Sequence, residues 1–490
     1  MSTSSRSLPR ASSTSAARTS SRTSSRTSAR SGGPASTSSS SSQADITLAM
    51  PPRDLPEAIG KYPVLARLGT GATSEVFLAQ DLFHKREVAI KRVRPGPQAT
   101  ALEQRFSARF FAAEAALVGR LNHPNVVRIL DAVDDPVAPY LVMDYVPGLT
   151  LKHFCSPERL LSLEQVVEVG FKCAMALNYV YRQGVIHRDV KPANILVMVD
   201  GDDIIDLKVT DFGSALNMGA DETQVHRVGS LAYMSPEQLD GAELDSRADM
   251  YSLAALLYHL IAGRPPFEAE HQGALLQQIW KAEAPSLMGC RDSVTEALDR
   301  VIRGALQKKP DDRPASWEAF AEGLSSLITH NEVPRGPLQR VLDSERFNLL
   351  RTLDFFTDFG DAELWEVVHR ARWQRFPLGH HIGRAGQEGR RFHIIAQGEV
   401  EIRRNNQSVA TLGAGTSVGE MAYLAPSPEL RQRSADIVTT QACTTVSFTP
   451  ESLDQLSPPT RHRFDRGFIR VLVRRLHAAH EALDHPRRIL

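Results

Sequence analysis

Cysteine is scarce and unpatterned in this 490-residue chain. Cys155, Cys173, Cys290 and Cys443 have neither metal nor redox spacing, which argues against a cysteine-based metal centre or disulfide framework and fits a reducing compartment. Long apolar runs are missing too. The most apolar stretch, MYSLAALLYHLIAG from Met250 to Gly263, falls short of the roughly 20 residues that cross a bilayer. It is expected to be a buried core helix, and the chain reads as cytoplasmic. Charge of one sign is also lacking. Lysine plus arginine number 57, as do aspartate plus glutamate, so no general polyanion partner is implied.

Acidic residues are absent from the first 43 positions, which are almost all Ser, Thr, Ala and Arg and include RTSSRTSSRTSAR at 18–30. Such a segment buries too little apolar surface to offset its ordering entropy, and a disordered tail over 1–54 is expected. With no aromatic residue and almost no leucine it does not form the apolar face of a transit helix. It reads as a solvated tail, or as one that is phosphorylated or binds anions. The remaining length holds two or more domains at about 150 residues each.

Residues 62–94, YPVLARLGTGATSEVFLAQDLFHKREVAIKRVR, read as three strands joined by two turns. Gly69-Thr70-Gly71 stands at the first turn, where glycine lets the backbone approach phosphate oxygens. Ser74 occupies the place of a third glycine. Lys91 follows on the third strand, and an amphipathic helix is expected through FSARFFAAEAALVGRL (106–121), from which Glu114 can reach back to Lys91. Alone, Lys91 would read as a solvated strand lysine and the glycines as a hairpin turn. Together they make a phosphate clamp held by an ion pair.

The stretch VIHRDVKPANILV (185–197) adds His187-Arg188-Asp189, Lys191 and Asn194, and Asp211-Phe212-Gly213 follows seventeen residues after Asn194. Transfer of a phosphoryl group to a hydroxyl needs a carboxylate on the acceptor, oxygen ligands for Mg²⁺ and a cation near the γ-phosphate. Asp189, Asn194, Asp211 and Lys191 supply that set.

With these motifs the region 57–330 resembles the protein kinase family, most of all the bacterial serine/threonine kinases of eukaryotic type, since Lys191 follows Asp189 by two. The resemblance implies a two-lobed α+β fold that uses ATP and Mg²⁺ on protein substrates. It implies that Asp189, Lys191, Lys91 and Glu114 are catalytic and that Asn194 and Asp211 hold metal. Leu68, Gly69, Thr70, Gly71, Ser74, Val76, Ala89, Lys91 and Leu196 would surround ATP, with Met143 as gatekeeper and Asp144 and Tyr145 giving hinge backbone contacts. Ser235-Pro236-Glu237 would pair through Glu237 with Arg313, and Asp249 would hold the catalytic loop. Arg188 implies control by a negative charge on the activation segment 214–237. Thr223 is the best-placed phosphoacceptor there, with the flanking Asp221 and Glu222 as an alternative that mimics a phosphate instead, and Ser230 is a substrate-pocket residue. Ala193 and Thr150 stand where basophilic kinases carry acids, which counts against phosphorylation of the chain's own RTSSRTSS tail.

After a linker at 331–345 (NEVPRGPLQRVLDSE) the pattern turns to helix and then to short strands with Gly-rich turns, as in a small β-roll or jelly roll. The loop VGEMAYLAPSPELRQRSADIV (418–438) holds an acid and an arginine. Glu420, beside Gly419, suits a pair of sugar hydroxyls. Arg433 suits a phosphate, with Ser434 and the Ala435 backbone completing the cradle. With FHIIAQG at 392–398, residues 346–485 resemble the cyclic-nucleotide-binding domain family, which implies cyclic AMP or cyclic GMP as effector. Ser434 leans towards cyclic AMP. Arg431 is a competing arginine, and Asp436 would place a negative charge near the phosphate. A transcription factor would need a helix-turn-helix after this domain. Instead 459–484 reads as one amphipathic helix, serving as a lid over the ligand, a homodimer contact, or both. Two alternatives remain: an active kinase whose C-terminal domain only docks or dimerises, and a non-catalytic nucleotide-binding scaffold.

Overall fold

A computed structural model describes residues 55–71, 74–93, 101–135, 138–201, 203–214, 216–217, 231–335, 341–425 and 427–484. The expected tail at 1–54, and Thr223 and Ser230 of the activation segment, lie outside the described residues.

The three expected strands are part of a larger antiparallel sheet. β1 (Ala58–Ile59), β2 (Tyr62–Thr70), β3 (Ser74–Asp81), β4 (Arg86–Val93), β5 (Ile129–Val133) and β6 (Tyr140–Asp144) lie in the order β1-β2-β3-β4-β6-β5. Phe77 and Ala79, two apart on β3, turn into a small core with Tyr62, Val88, Ile90 and Tyr140, as a period of two requires. Helix α1 (Ala101–Ala115) is shorter than the expected run to residue 121. Beyond Ala115 the N–H groups of Leu117, Val118 and Arg120 reach back three residues instead of four, and Gly119 takes a left-handed φ of 69° and donates to the Ile129 carbonyl. That left-handed residue stops the helix.

The second lobe contains β7 (Leu149–Thr150), α2 (Leu163–Arg182), β8 (Val185–Ile186), β9 (Ile195–Asp200), β10 (Asp203–Val209), β11 (Leu216–Asn217), α3 (Pro236–Leu239), α4 (Ser246–Ala262), α5 (Gln272–Lys281), α6 (Glu296–Ala305) and α7 (Trp317–Thr329). Helix α2 starts at a capping box in which Ser162 and Gln165 satisfy each other's backbone N–H groups. The apolar run from Met250 forms the body of α4, buried from Ala248 to Leu257 as expected, and Gly263 closes the helix in the left-handed region.

The C-terminal region begins with α8 (Asp343–Arg351) and α9 (Asp361–Arg370). A β-roll follows, made of β12 (Arg372–Phe376), β13 (His381–Gly383), β14 (Phe392–Gln397), β15 (Val400–Arg404), β16 (Gln407–Leu412) and β17 (Ser417–Val418). It continues after α10 (Glu420–Leu424) with β18 (Asp436–Thr439) and β19 (Cys443–Phe448). Its two four-stranded sheets run β12-β19-β14-β17 and β13-β18-β15-β16. Helix α11 (Pro450–Asp454) leads to the expected long last helix, α12 (Pro458–Asp484).

The stretch expected as a linker is anchored at both ends. Val333 is buried, and Arg335 pairs with Glu164 of α2 at 3.2 Å and with Glu345 of α8. The helices that follow dock on α2. Trp365 of α9 has no exposed surface and stacks on Phe347 of α8 at 5.0 Å, with Phe171 of α2 at 6.1 Å and His123 at 6.3 Å. Lys172 of α2 lies 2.8 Å from Asp343, while Glu168 accepts the Ser344 hydroxyl at 2.5 Å. Burial alone would lower the Lys172 pKa, but Glu168, Asp343 and Asp206 outweigh it and hold the ammonium above its usual range.

Truncating a large side chain at such a site typically costs about 3–5 kcal/mol. Trp365→Ala is expected to lose that much in chemical unfolding of the full chain. Trp280→Ala, at a site 39% exposed, is expected to stay within about 0.5 kcal/mol. Equal effects would remove Trp365 from its place as the anchor of this junction.

Candidate functional sites

The strand register assembles the first site. Val76 of β3 faces Lys91 of β4, and Ala89 of β4 faces Met143 of β6. From below, β9 brings Leu196 opposite Thr150. Gly69 pairs with Val76 next to an irregularity in β2, and the Gly71 N–H donates to the Ser74 carbonyl at 2.7 Å. A Cβ on Gly69 would meet nothing within 4 Å. Packing therefore does not demand glycine there, whereas close approach of a ligand to the backbone would. Leu68 is 45% exposed at the cleft edge. The Asp144 N–H donates to the Arg128 carbonyl at 3.1 Å, and its carboxylate is held by the Arg128 guanidinium at 2.7 Å. A backbone contact from this residue into the cleft would therefore use its carbonyl. Tyr145 follows it at the end of β6.

Lys91 Nζ stands 2.8 Å from both Glu114 oxygens and 2.6 Å from Asp211 Oδ1. Burial would lower the Lys91 pKa, but the two carboxylates raise it well above normal. Burial would raise Asp211, and Lys91 overrides it, holding that carboxyl well below its usual range. The expected ion pair is thus a three-member set. Asp189 Oδ2 lies 2.6 Å from Lys191 Nζ, and Asn194 Nδ2 donates to the Asp189 carbonyl at 2.8 Å and to its side chain at 3.1 Å. With its amide nitrogen so used, Asn194 retains its oxygen, a hard donor that, with Asp211, suits Mg²⁺.

Two residues at this site carry backbone strain. Arg188 has φ of 65° and Asp211 of 67°. Such conformations persist only when the surroundings fix them. Buried Asp249 of α4 does so for Arg188, accepting the His187 N–H at 2.7 Å and the Arg188 N–H at 2.8 Å. Gln238 of α3 donates to the Arg188 carbonyl at 2.7 Å. Gln238 was missed in the sequence; its one signal was the Ser235-x-x-Gln238 capping pattern. Arg313, fully buried, forks onto Glu237 at 2.6 and 2.8 Å and fixes the same segment.

The second site is a cavity of about 650 Å³ in the β-roll, lined by Gly419, Glu420, Arg433, Ser434 and Ala435 together with Leu472 and Arg475 of α12. Arg433 is held between two glycines. A Cβ on Gly419, whose φ is 82°, would lie 2.7 Å from its Nη1, and one on Gly383 would lie 2.8 Å from its Cδ. Gly383 gave no separate sequence signal. Arg433 Nη2 donates to the Arg391 carbonyl at 3.1 Å, and the buried Nη1 has no protein partner. Arg433 is part of the cavity wall, and a guanidinium there fits an anionic oxygen. Burial pulls the Arg433 pKa down, and Glu420 pushes it back.

Glu420 differs from expectation. It is buried, and its carboxylate already accepts Arg475 and, at 3.3 Å, the Ser417 hydroxyl. Arg475 was not singled out in the sequence, because it lies 55 positions from Glu420 on a helix that reads only as amphipathic. The competing Arg431 does not line the cavity. Nor does Asp436, whose carboxylate accepts the Ala385 N–H at 2.8 Å.

A family model described as a protein kinase domain matches residues 62–324, and one described as a cyclic nucleotide-binding domain matches 373–457. The chain is 36% identical over 279 residues to a probable serine/threonine-protein kinase of Streptomyces coelicolor, covering 55% of this chain and 40% of that protein. It is 35% identical over 299 residues to the serine/threonine-protein kinase PknB of Mycobacterium tuberculosis, covering 59% and 46%. Against the serine/threonine-protein kinase PrkC of Bacillus subtilis the identity is 34% over 272 residues, covering 55% and 41%. The chain thus spans less than half the length of these relatives. Among its described residues no helix is long and apolar enough to cross a membrane.

Gly419→Ala is expected to push Arg433 out of register and weaken cyclic nucleotide binding by tenfold or more, about 1.4 kcal/mol, in calorimetry of the full chain. Gly379→Ala, with φ of 77° and open space around it, controls for backbone strain alone. Equal binding by wild type and Gly419→Ala would separate Arg433 from the ligand.

Proposed function

We propose that this chain, which belongs to the protein kinase family and carries a cyclic nucleotide-binding domain behind its kinase domain, transfers the γ-phosphate of ATP to serine or threonine of protein substrates under control of a cyclic nucleotide. The observation that carries the first half is Lys91, whose Nζ lies within 2.8 Å of both Glu114 and Asp211, together with the Asp189–Lys191 pair. A cleft built this way has little covalent chemistry to perform. It positions the donor and stabilises charge.

In this reading Asp189 orients the acceptor hydroxyl and takes its proton. Lys191, 2.6 Å from Asp189, faces the phosphoryl oxygens as charge shifts onto them. Lys91, fixed by Glu114, holds the phosphates of the nucleotide, whose base lies among Val76, Ala89, Met143 and Leu196. Asn194 and Asp211 would hold Mg²⁺, which would supply positive charge to the phosphates. Asp249 and Gln238 act only on the loop backbone and are positioning residues. We assign residues 57–330 to the kinase and 346–485 to the nucleotide domain.

The second half rests on the cavity of about 650 Å³ lined by Glu420, Arg433, Ser434 and Ala435. Cyclic AMP is favoured over cyclic GMP because Ser434, not threonine, follows Arg433. A second reading, in which the C-terminal domain binds no nucleotide and only braces the kinase, draws on the packing of Trp365, Phe347 and Phe171.

Asp189→Asn is expected to abolish transfer of labelled phosphate from ATP to a generic serine/threonine substrate while leaving ATP affinity within about threefold, or 0.7 kcal/mol. Robust turnover by this variant would overturn the assignment of the base. Calorimetry of the wild-type chain with cyclic AMP and cyclic GMP decides the effector, and silence with both would favour the bracing reading.

A further inference from the structure

Helix α9 belongs to two packings at once. One face is part of the kinase lobe, where Trp365 lies among Phe347, Phe171 and His123, and His369 stacks on Trp365 at 5.5 Å. The other face meets α12. Glu366 accepts the Ser457 N–H at 3.0 Å, the Ser457 hydroxyl at 2.7 Å and the Thr460 hydroxyl. It thereby caps the first turn of α12 from a different helix. Hydrogen bonds to a carboxylate are roughly twice as strong as those between neutral groups.

The far part of α12 belongs to the nucleotide cavity. Leu472 lines it, and Arg475 spans Glu420 and the Ser417 carbonyl, the latter at 2.5 Å. Residues 457 to 475 cover about 27 Å at 1.5 Å per residue. Between the ends, Phe464 and Phe468 are buried against Phe355, Phe392 and Phe448. Gly467 lies so close to Phe355 that a Cβ would meet the ring at 2.8 Å. The helix therefore rests on an aromatic cluster around Phe355, with further polar attachments along it: Arg463 lies 3.9 Å from Glu363 of α9, and Arg470 and Arg474 pair with Asp358 and Asp354.

Beyond the Glu366 end, α12 is not packed solidly on the kinase. A cavity of about 750 Å³ separates Pro458 and Thr460 from Arg128, Asp144 and Lys208. Asp144 adjoins Met143 at the back of the ATP cleft and is held by Arg128. Space for a small shift of α12 thus lies against the hinge.

We propose that Glu366 is the joint through which occupancy of the nucleotide cavity reaches the kinase hinge. The inference rests on the reading that this cavity binds a cyclic nucleotide. A ligand that engages Arg433 and Glu420 competes with Arg475 for Glu420 and re-seats the far half of α12. The helix, stiff and pivoted on Phe355, shifts its first turn. Glu366 passes that shift to α9, which is fixed in the kinase core by Trp365. Shifts of 1–2 Å at such helix contacts suffice for coupling of about 5- to 150-fold.

The test compares full-length wild type, Glu366→Ala and the milder Thr460→Val, which removes one donor without changing volume. Hydrogen exchange without any nucleotide is the first readout. Faster exchange in Glu366→Ala is expected at 457–463 and also at the hinge, 140–146. A change confined to 457–463 identifies a local cap and overturns the proposal. The second readout is the KM for ATP with and without saturating cyclic AMP, alongside calorimetric affinity for cyclic AMP. Wild type is expected to change KM by about fivefold or more. Glu366→Ala is expected to bind cyclic AMP within threefold of wild type yet to change KM by less than twofold, with Thr460→Val in between. Full coupling in Glu366→Ala overturns the proposal. Absence of cyclic AMP binding in wild type overturns the reading of the cavity, and the exchange experiment then decides the joint.

Discussion

Trp365 has no exposed surface, and the groups that cover it come from both parts of the chain: Phe171 and His123 from the kinase, Phe347 and His369 from the helices that follow. Around that ring lies a shell of charge, with Lys172 between Asp343 and Asp206, and Glu168 bound to Ser344. Breaking a buried pair by removing one partner is costly, because the other charge then stands alone. Helices α8 and α9 therefore pack on α2 of the kinase lobe while leading into the β-roll. The β-roll is mounted on a surface that already belongs to the kinase core, beside the hinge.

The kinase cleft is governed by the same rule of compensated burial. Lys91 keeps its proton because Asp211 and Glu114 overcome desolvation. Asp249 gives both carboxylate oxygens to two backbone N–H groups and so fixes Arg188 in a conformation that a free chain would avoid. The strain at Arg188 and Asp211 is confined to the two segments that carry Asp189 and the metal-ligand candidates, where an exact geometry has the largest effect on rate.

The β-roll cavity is asymmetric. Arg433 is squeezed between Gly383 and Gly419 and has no acidic partner within salt-bridge distance among the described residues, whereas Glu420 is already occupied by Arg475. The acid half is tied to the last helix, so any ligand that uses Glu420 also acts on α12.

The sequence by itself determined the kinase family and the order of the two folded parts. Those signals are local: Gly69 to Lys91 lie within one three-stranded segment, Asp189 to Asn194 within one loop, and Gly419 to Ala435 within one excursion of the β-roll. The apolar run from Met250 likewise specified its own helix. The early stop of α1 was less legible, since it depends on a left-handed Gly119 and its bond to Ile129. Only the tertiary structure decided that the 331–345 stretch is anchored, that Asp144 is committed to Arg128, that Glu420 faces Arg475 and that Glu366 caps α12. Each of these joins groups that are 10 to 171 positions apart. Periodicity and spacing report which face of an element is apolar. They do not report which polar residue of a distant element meets it, because that depends on how whole helices dock once their apolar faces are buried.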